Sequence, residues 1–331
     1  MRRSVVLLIG GATILCGLIV AHLLVGRSEL GMGDTLRALS GSSAVRSHET
    51  IVFRYRLPRV LVGIGAGALL ALSGALLQAV MRNPLAEPGT AGVGSGAALG
   101  VVVSLILFPG NDFATAAALI GAVACGAMLF LVGRRSLAVA GILIGAVLGA
   151  VTSLLLVVDG KPMGVVLRWL IGSLNARTQA DWDSLWPWVL ALTAAGLFLA
   201  PAANVLSLGD IAATGLGARP SHTRFALLAI AVIAAATAIA AAGAVAFVGL
   251  MAPHAARALV GADHRDLIPV SVVFGAICLS GADLVAFSIT LDLPGAGPAV
   301  SGLPVGALTA LLGAPYLIWL VRREHHVRRQ H

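Results

Sequence analysis

The chain has 331 residues, of which 59% are hydrophobic and only 11% charged, and a formal net charge of +8. A soluble protein carries about 25% charged residues, so composition excludes an ordinary soluble domain. Apolar runs of about 18 or more residues, each able to cross a ~30 Å hydrocarbon core, recur along the whole length; they favour a helical bundle over a barrel, whose strands alternate in segments of about ten residues.

The opening stretch, MRRSVVLLIGGATILCG, has the look of a lipoprotein signal. Leu15, directly before Cys16, is too bulky for that cleavage site, so the stretch reads as a retained first span over 5–25. Further spans follow at 60–80, 91–108, 113–132, 137–158, 184–203, 225–246, 267–290 and 304–321. A shorter apolar stretch, 247–261, contains Pro253, His254 and Arg257. Counting it as a crossing gives about ten transmembrane helices in a single all-α domain, 1–331, with both termini on one side. Placing that side in the cytoplasm puts Arg2, Arg3, Arg82, Arg134, Arg135 and Arg322 at cytoplasmic ends, in keeping with the positive-inside rule. Without the short crossing, the basic tail 322–331 would fall outside. The positive charge is thus read as an orientation signal among membrane lipids; with few aromatics and no interleaved basic patch, no nucleic-acid partner is expected.

Between the second and third spans lies MRNPLAEPGTAGVGSGAALG, 81–100. Pro84 and Pro88 restrict Asn83 and Glu87 to extended backbone. The preceding helix must therefore end near Arg82, and the next can start near Pro88. The product is a stiff turn that holds Leu85 between two prolines. Gly92, Gly96 and Gly100 share one helix face, as do Gly63, Gly67 and Ala71, and such small-residue stripes let helices approach closely in lipid. GVGSGA lacks the preceding strand and following acid of a dinucleotide loop.

Between the sixth and seventh spans, SLGDIAATGLGARPSHTRF (207–225) offers a short helix with Leu208, Ile211, Ala212 and Leu216 on an apolar face. Asp210 stands near its start, where the helix dipole favours a negative charge, and Gly215 and Gly217 end it. Asp283 is an acid inside an apolar span, with no partner evident from the sequence; intramembrane acids are functional candidates, and a structural hydrogen-bonding role is the stronger reading against proton coupling. His254 and His264 lack metal-ligand spacing, and Cys16, Cys125 and Cys278 form no CxxC motif. No metal site and no cofactor is expected. No nucleophile–base pair appears, and no GxxxxGK[ST] loop, so the chain is read as neither a hydrolase nor an ATPase.

Seven blocks occur in order: RLPR (56–59), GALLALSGALLQAVMRNPLAEPGTAGVGSGAALG (67–100), WLIGSL (169–174), LGDIAATGLG (208–217), FVGLMAPHAARALVGADHRDLIPVS (247–271), GAD (281–283) and LPVGALTALLGAPYLIWLVRR (303–323). Together they closely resemble the FecCD/BtuC-type permeases, membrane subunits of bacterial ABC importers for ferric siderophores, haem and vitamin B12. The resemblance implies a ten-helix permease of the cytoplasmic (inner) membrane that pairs with a second permease subunit, identical or homologous. It also implies two ATP-binding-cassette ATPase subunits and an extracytoplasmic substrate-binding protein. Carried over to this chain, Asn83 and Leu85 become translocation-gate residues. The segment 207–222, through Leu208, Gly209, Asp210, Ala212, Gly215, Leu216 and Gly217, becomes the ATPase-coupling element.

The same resemblance assigns Arg56 and Arg59 to binding-protein docking. Pro58 is expected to interrupt the helix there and to keep Arg54, Arg56 and Arg59 projecting. Two departures stand beside them: Phe287 where a further arginine often follows the GAD motif, and Gly302 in place of an acid before LPVG. An apparent insertion, DLPGAGPAVSG (292–302), lies next to both. The ferric siderophore branch is the broadest in the family and is the expected substrate class. Haem or vitamin B12 is the alternative within it, and an ion-coupled secondary transporter the alternative outside it.

Overall fold

The computed structural model describes residues 2–25, 30–42, 45–109, 113–132, 137–158, 169–291, 300–301 and 303–328. Its long helices are α1 (Arg2–Leu24), α4 (Leu57–Met81), α5 (Val93–Leu107), α6 (Ala114–Val132), α7 (Leu137–Val158), α8 (Gln179–Phe198), α11 (Pro220–Ala242), α12 (Val248–Val260), α13 (His264–Ser288) and α14 (Val305–Arg328). Short helices join them: α2 (Met32–Leu39), α3 (Arg46–Thr50), α9 (Ala200–Ser207) and α10 (Asp210–Gly215). Two two-residue strands, β1 (Thr290–Leu291) and β2 (Val300–Ser301), pair antiparallel. Of the 292–302 insertion only 300–301 are described; its other residues, 133–136 and 159–168 lie outside the described residues.

Most helix ends agree with the sequence expectation within about five residues; α14 runs on to Arg328, past the expected end at 321, and two other places differ. The expected span 184–203 is two helices, α8 and α9, bent by 48°. The second difference surrounds Pro58. The helix does not break there; it runs from Arg46 to Met81 through a π-helical stretch, Ile51–Arg56, in which the Leu57 N–H bonds the Val52 carbonyl. The wider π turn relieves the clash between a proline ring and the carbonyl four residues back.

α4 is the axis of the bundle. It packs against α13, α11, α12 and α8, and Leu69, Leu70, Leu72, Leu76 and Leu77 are fully buried along it. Lipid tails are as apolar as leucine, so close van der Waals contact, not escape from water, must hold such helices together. Glycines provide that contact. A methyl on Gly67 would overlap the Gly275 carbonyl of α13, and one on Gly74 would overlap the Gly249 carbonyl of α12. The stripe on α5 serves the same purpose, with Gly96 and Gly100 lying against the Gly121 and Ala117 carbonyls of α6.

By length and composition, six described helices can cross a membrane, or seven with the bent α8–α9 pair. Val93–Leu107 and Val305–Ile318 are shorter apolar helices. α12 has 13 residues, which at ~1.5 Å per residue reach about 20 Å, short of the hydrocarbon thickness.

Candidate functional site at the two ends of the central helix

α4 carries an arginine cluster at each end, and the sequence-derived site residues divide between them. At its C-terminal end, Arg82 takes a left-handed conformation (φ 49°) and its N–H caps the Gln78 carbonyl. Asn83 then folds the turn on itself: its Oδ1 accepts the Leu85 N–H at 3.0 Å, and its carbonyl accepts the Ala86 N–H at 3.1 Å. α5 begins at Val93, later than Pro88 alone suggested. The intervening residues are spent on a second turn, in which Thr90 Oγ1 donates to the Glu87 carbonyl and accepts the Glu87 N–H. Gly92, at φ 75°, redirects the chain into α5.

This double turn is fastened to the break between α11 and α12. Glu87 is buried, and its Oε2 accepts the Phe247 N–H at 3.0 Å. Phe247 is itself left-handed (φ 68°), a strained state for an aromatic residue, and the Pro88 ring lies against Gly249 two residues on. Burial pushes the Glu87 carboxyl up to about 7, with the Phe247 N–H working against it. Asn83 and Leu85 are half-buried at the edge of this turn.

The α10 segment lies at the same end. Gly209 (φ 106°) leads into it, and Gly217 (φ 79°) closes it, its N–H bonded to the Thr214 carbonyl at 2.9 Å. Gly217, not Gly215, therefore supplies the left-handed stop. Of the expected apolar face, Leu208, Ile211, Ala212 and Leu216 are all exposed, Ile211 almost completely at 93%, while Ala213 alone is buried. Asp210 is gripped twice. Arg224 at the start of α11 reaches both of its oxygens, at 3.0 and 2.6 Å, and Arg82 reaches Oδ1 while also donating to the Leu206 carbonyl at 3.1 Å. Hydrogen bonding from Arg224, then from Arg82, holds the Asp210 carboxyl below its ordinary range. A cleft of about 820 Å³ opens among Arg82, Asn83, Asp210, Thr214, Ser221 and Arg224.

The opposite end of α4 corrects the expectation of projecting arginines. Because the helix continues through Pro58, Arg56 and Arg59 turn inward and are buried. Arg56 donates to the Leu23 carbonyl at the end of α1. Arg59 forms a two-pronged pair with Asp283 of α13, at 2.7 and 2.8 Å, and its guanidinium sits 4.2 Å from the centre of the Phe287 ring. His22 of α1 approaches the same carboxylate at 3.4 Å. Asp283 thus has the basic partners that the sequence did not reveal, and Phe287 covers Arg59 where an arginine was expected. A 190 Å³ cavity remains beside them, bordered by His22, Tyr55, Arg56, Arg59 and Arg177. Arg54 is exposed.

The two histidines of the 247–271 block go to different neighbours. His254 lies edge-on to Tyr316 at 5.9 Å, and His264 meets Asn204 through both its N–H and its ring. Sequence reasoning passed over Arg82, Arg224, Glu87 and His22 as actors. Each is a polar residue in or beside an apolar run; Arg224 pairs with Asp210 only 14 positions away, but the partners of Arg82, Glu87 and His22 lie more than a hundred residues off.

The described residues thus form an α-helical bundle of membrane-spanning length, threaded by one deeply buried helix, with a braced turn and an exposed short helix at one end, an arrangement of the kind transport permeases have. The FecCD transport family profile matches residues 13–323, and the chain belongs to that family. It is 36% identical over 322 residues to the Fe(3+)-citrate import system permease protein YfmE of Bacillus subtilis (strain 168), covering 93% of this chain and 94% of that one. It is 39% identical over 282 residues to the cobalamin import system permease protein BtuC of Halobacterium salinarum, covering 83% and 74%. A solved structure described as an inward-facing conformation of a metal-chelate type ABC transporter superposes with a TM-score of 0.82 at 28% identity, covering 96% of this chain and 98% of that one.

Proposed function

We propose that the chain is the permease subunit of an ABC importer, crossing the bacterial cytoplasmic membrane ten times with both termini in the cytoplasm, and that it carries a ferric siderophore. It works beside a second permease subunit, with two separate ATPase subunits and an extracytoplasmic binding protein. The observation that carries this reading is the joint position of the Asn83–Leu85 turn and the Asp210–Gly215 helix at one end of α4, with an apolar helix face left bare there. Leu208, Ile211, Ala212 and Leu216 have no partner surface within the described residues, as a docking face for another subunit requires. Asn83 and Leu85 form the cytoplasmic gate, and the braced turn gives that gate defined positions.

Relatives of near-equal identity are named for iron citrate and for cobalamin, so overall similarity does not select the chelate. Ferric siderophore is preferred as the broadest branch. The reading is tested by reconstituting the chain with its ATPase and binding protein in liposomes and measuring ATP-driven uptake of ferric siderophores, haemin and cyanocobalamin. Uptake of cyanocobalamin alone would replace the substrate; uptake that survives ATP depletion would overturn the importer.

At the opposite end, Arg56 and Arg59 border a cavity sized for a small anionic group, and Arg54 adds exposed positive charge. This end docks the binding protein, with complementary charge setting encounter rate and register. Arg59 is committed to Asp283, so the clean test is Arg54→Glu with Arg56→Gln: an unchanged association rate at low ionic strength would show that docking lies elsewhere.

A further inference from the structure

Three half-exposed charges join the ends of three elements: Arg82 closes α4, Asp210 opens α10, and Arg224 stands in the first turns of α11. Their purpose is not plainly stability. Side-chain exposures of 40% for Arg82, 50% for Asp210 and 29% for Arg224 place them in contact with solvent, where ion pairs contribute little. Their position is the informative feature. Arg82 is the residue immediately before Asn83, and its backbone is already in the left-handed state that launches the turn. Its guanidinium is anchored on one side to the Leu206 carbonyl at the end of α9 and on the other to Asp210. The turn beyond it is internally bonded from Asn83 to Ala86, so displacement of Arg82 moves Asn83 and Leu85 as a unit. Asp210 in turn is fixed to its own helix, whose Thr214 hydroxyl donates to the Asp210 carbonyl at 2.8 Å. The cleft beside the triad leaves room for these side chains to swing.

We propose that Asp210 and Arg82 are positioning residues that relay movement of the Asp210–Gly215 helix to the Asn83–Leu85 turn, with Arg224 holding the Asp210 carboxylate in register for Arg82. This rests on the reading of α10 as the ATPase-docking helix. When a docked ATPase displaces α10, Asp210 carries the Arg82 guanidinium with it. Because the Arg82 guanidinium is also held by the Leu206 carbonyl, part of that displacement falls on the left-handed backbone of Arg82 that starts the gate turn. A planar, forked guanidinium suits this task, because it holds the Leu206 carbonyl and the Asp210 carboxylate together in fixed geometry.

The test uses the assembled transporter with its ATPase subunits and binding protein, in a background where Cys16, Cys125 and Cys278 are replaced and Leu85→Cys reports accessibility. Arg82→Gln, outside the docking helix, should leave ATP hydrolysis near the wild-type rate; Asp210→Asn, on that helix, is read by the two measurements that follow. Each variant should lower substrate transported per ATP about tenfold, inside the ~5–150-fold range typical of coupling between linked sites. The difference in thiol labelling at position 85 between nucleotide-free and ATP-trapped states should disappear in both. Arg82→Lys, which keeps a cation within reach of Asp210, should restore part of both. Wild-type transport per ATP with a preserved labelling difference in Arg82→Gln would overturn the relay. So would loss of ATP hydrolysis itself, which would place Arg82 in ATPase engagement. Ala212→Glu separates the two levels of the argument. If it leaves uptake coupled, α10 is not the docking helix. If it uncouples uptake while Arg82→Gln does not, the docking helix stands and the relay falls.

Discussion

Glu87 is a carboxyl that the fold prefers neutral. Burial raises it from 4.5 to about 7, while its Oε2 keeps the strained Phe247 N–H satisfied. The folded state therefore binds a proton that the unfolded chain has already released, and the stability this gives is fully present below about 4.5 and is lost as pH rises through about 7. Thermal unfolding of the purified protein should show that decline between these values. Glu87→Gln, which retains an acceptor for Phe247 and cannot ionise, should flatten it; an unchanged slope would assign the pH dependence to another group. Arg59 presents the reverse case, a buried positive charge that Asp283 meets in two-pronged geometry. Removing one member of a buried pair costs about 3–5 kcal/mol. Arg59→Ala and Asp283→Ala should each lower the melting temperature markedly, and the double variant should be less damaged than the sum of the two. Strict additivity would mean that the pair is not coupled.

α10 is too short to be stable alone and exposes nearly all its apolar surface, which makes it the element most dependent on a partner. Ala212→Glu or Gly215→Glu should leave the amount of protein in the membrane unchanged, because among the described residues Ala212 is exposed and nothing lies within reach of a side chain at Gly215. Either should separate ATP hydrolysis from uptake in the assembled transporter, measured as substrate moved per phosphate released; normal coupling in both would remove the docking role from 207–222. The positions of α4, α5, α10 and α12 were legible in the sequence because proline, glycine and apolar run length act locally. The continuation of helix through Pro58 was not, since π-helical widening leaves no residue pattern of its own. The inward turn of Arg56 and Arg59 followed from that continuation and was missed with it. The bend between α8 and α9 was hidden for a similar reason: Pro201, in the first turn of α9, suits a new helix start as well as it suits a kink.

Across the whole molecule, burial is distributed unevenly. The apolar window of the Arg46–Met81 helix is 89% buried, against 11% for α1 and for α7. One helix is thus enclosed by its own chain, while others offer apolar faces to lipid or to another subunit. Isolated from membranes in mild detergent, the tagged chain should bring with it a separate ATPase subunit, and stripped of that subunit it should hydrolyse no ATP; hydrolysis by the stripped chain would contradict the division of labour proposed above. The family and the bundle were readable from seven ordered sequence blocks, but the clusters at the two ends of α4 were not, because each depends on residues brought together from distant segments. Arg59 and Asp283 are separated by 224 positions. At a synthesis rate of about 5–20 residues per second, the ribosome needs roughly 10–45 s to make the second after the first. During that interval the newly made α4 carries a cation with no counter-charge. The nascent chain must therefore wait beside the insertion machinery, or hold Arg59 at the headgroup level, until α13 emerges and draws it in. The Arg59–Asp283 pair therefore closes late, when α13 emerges, and nascent chains ending before Asp283 should be the ones that membrane quality control recognises.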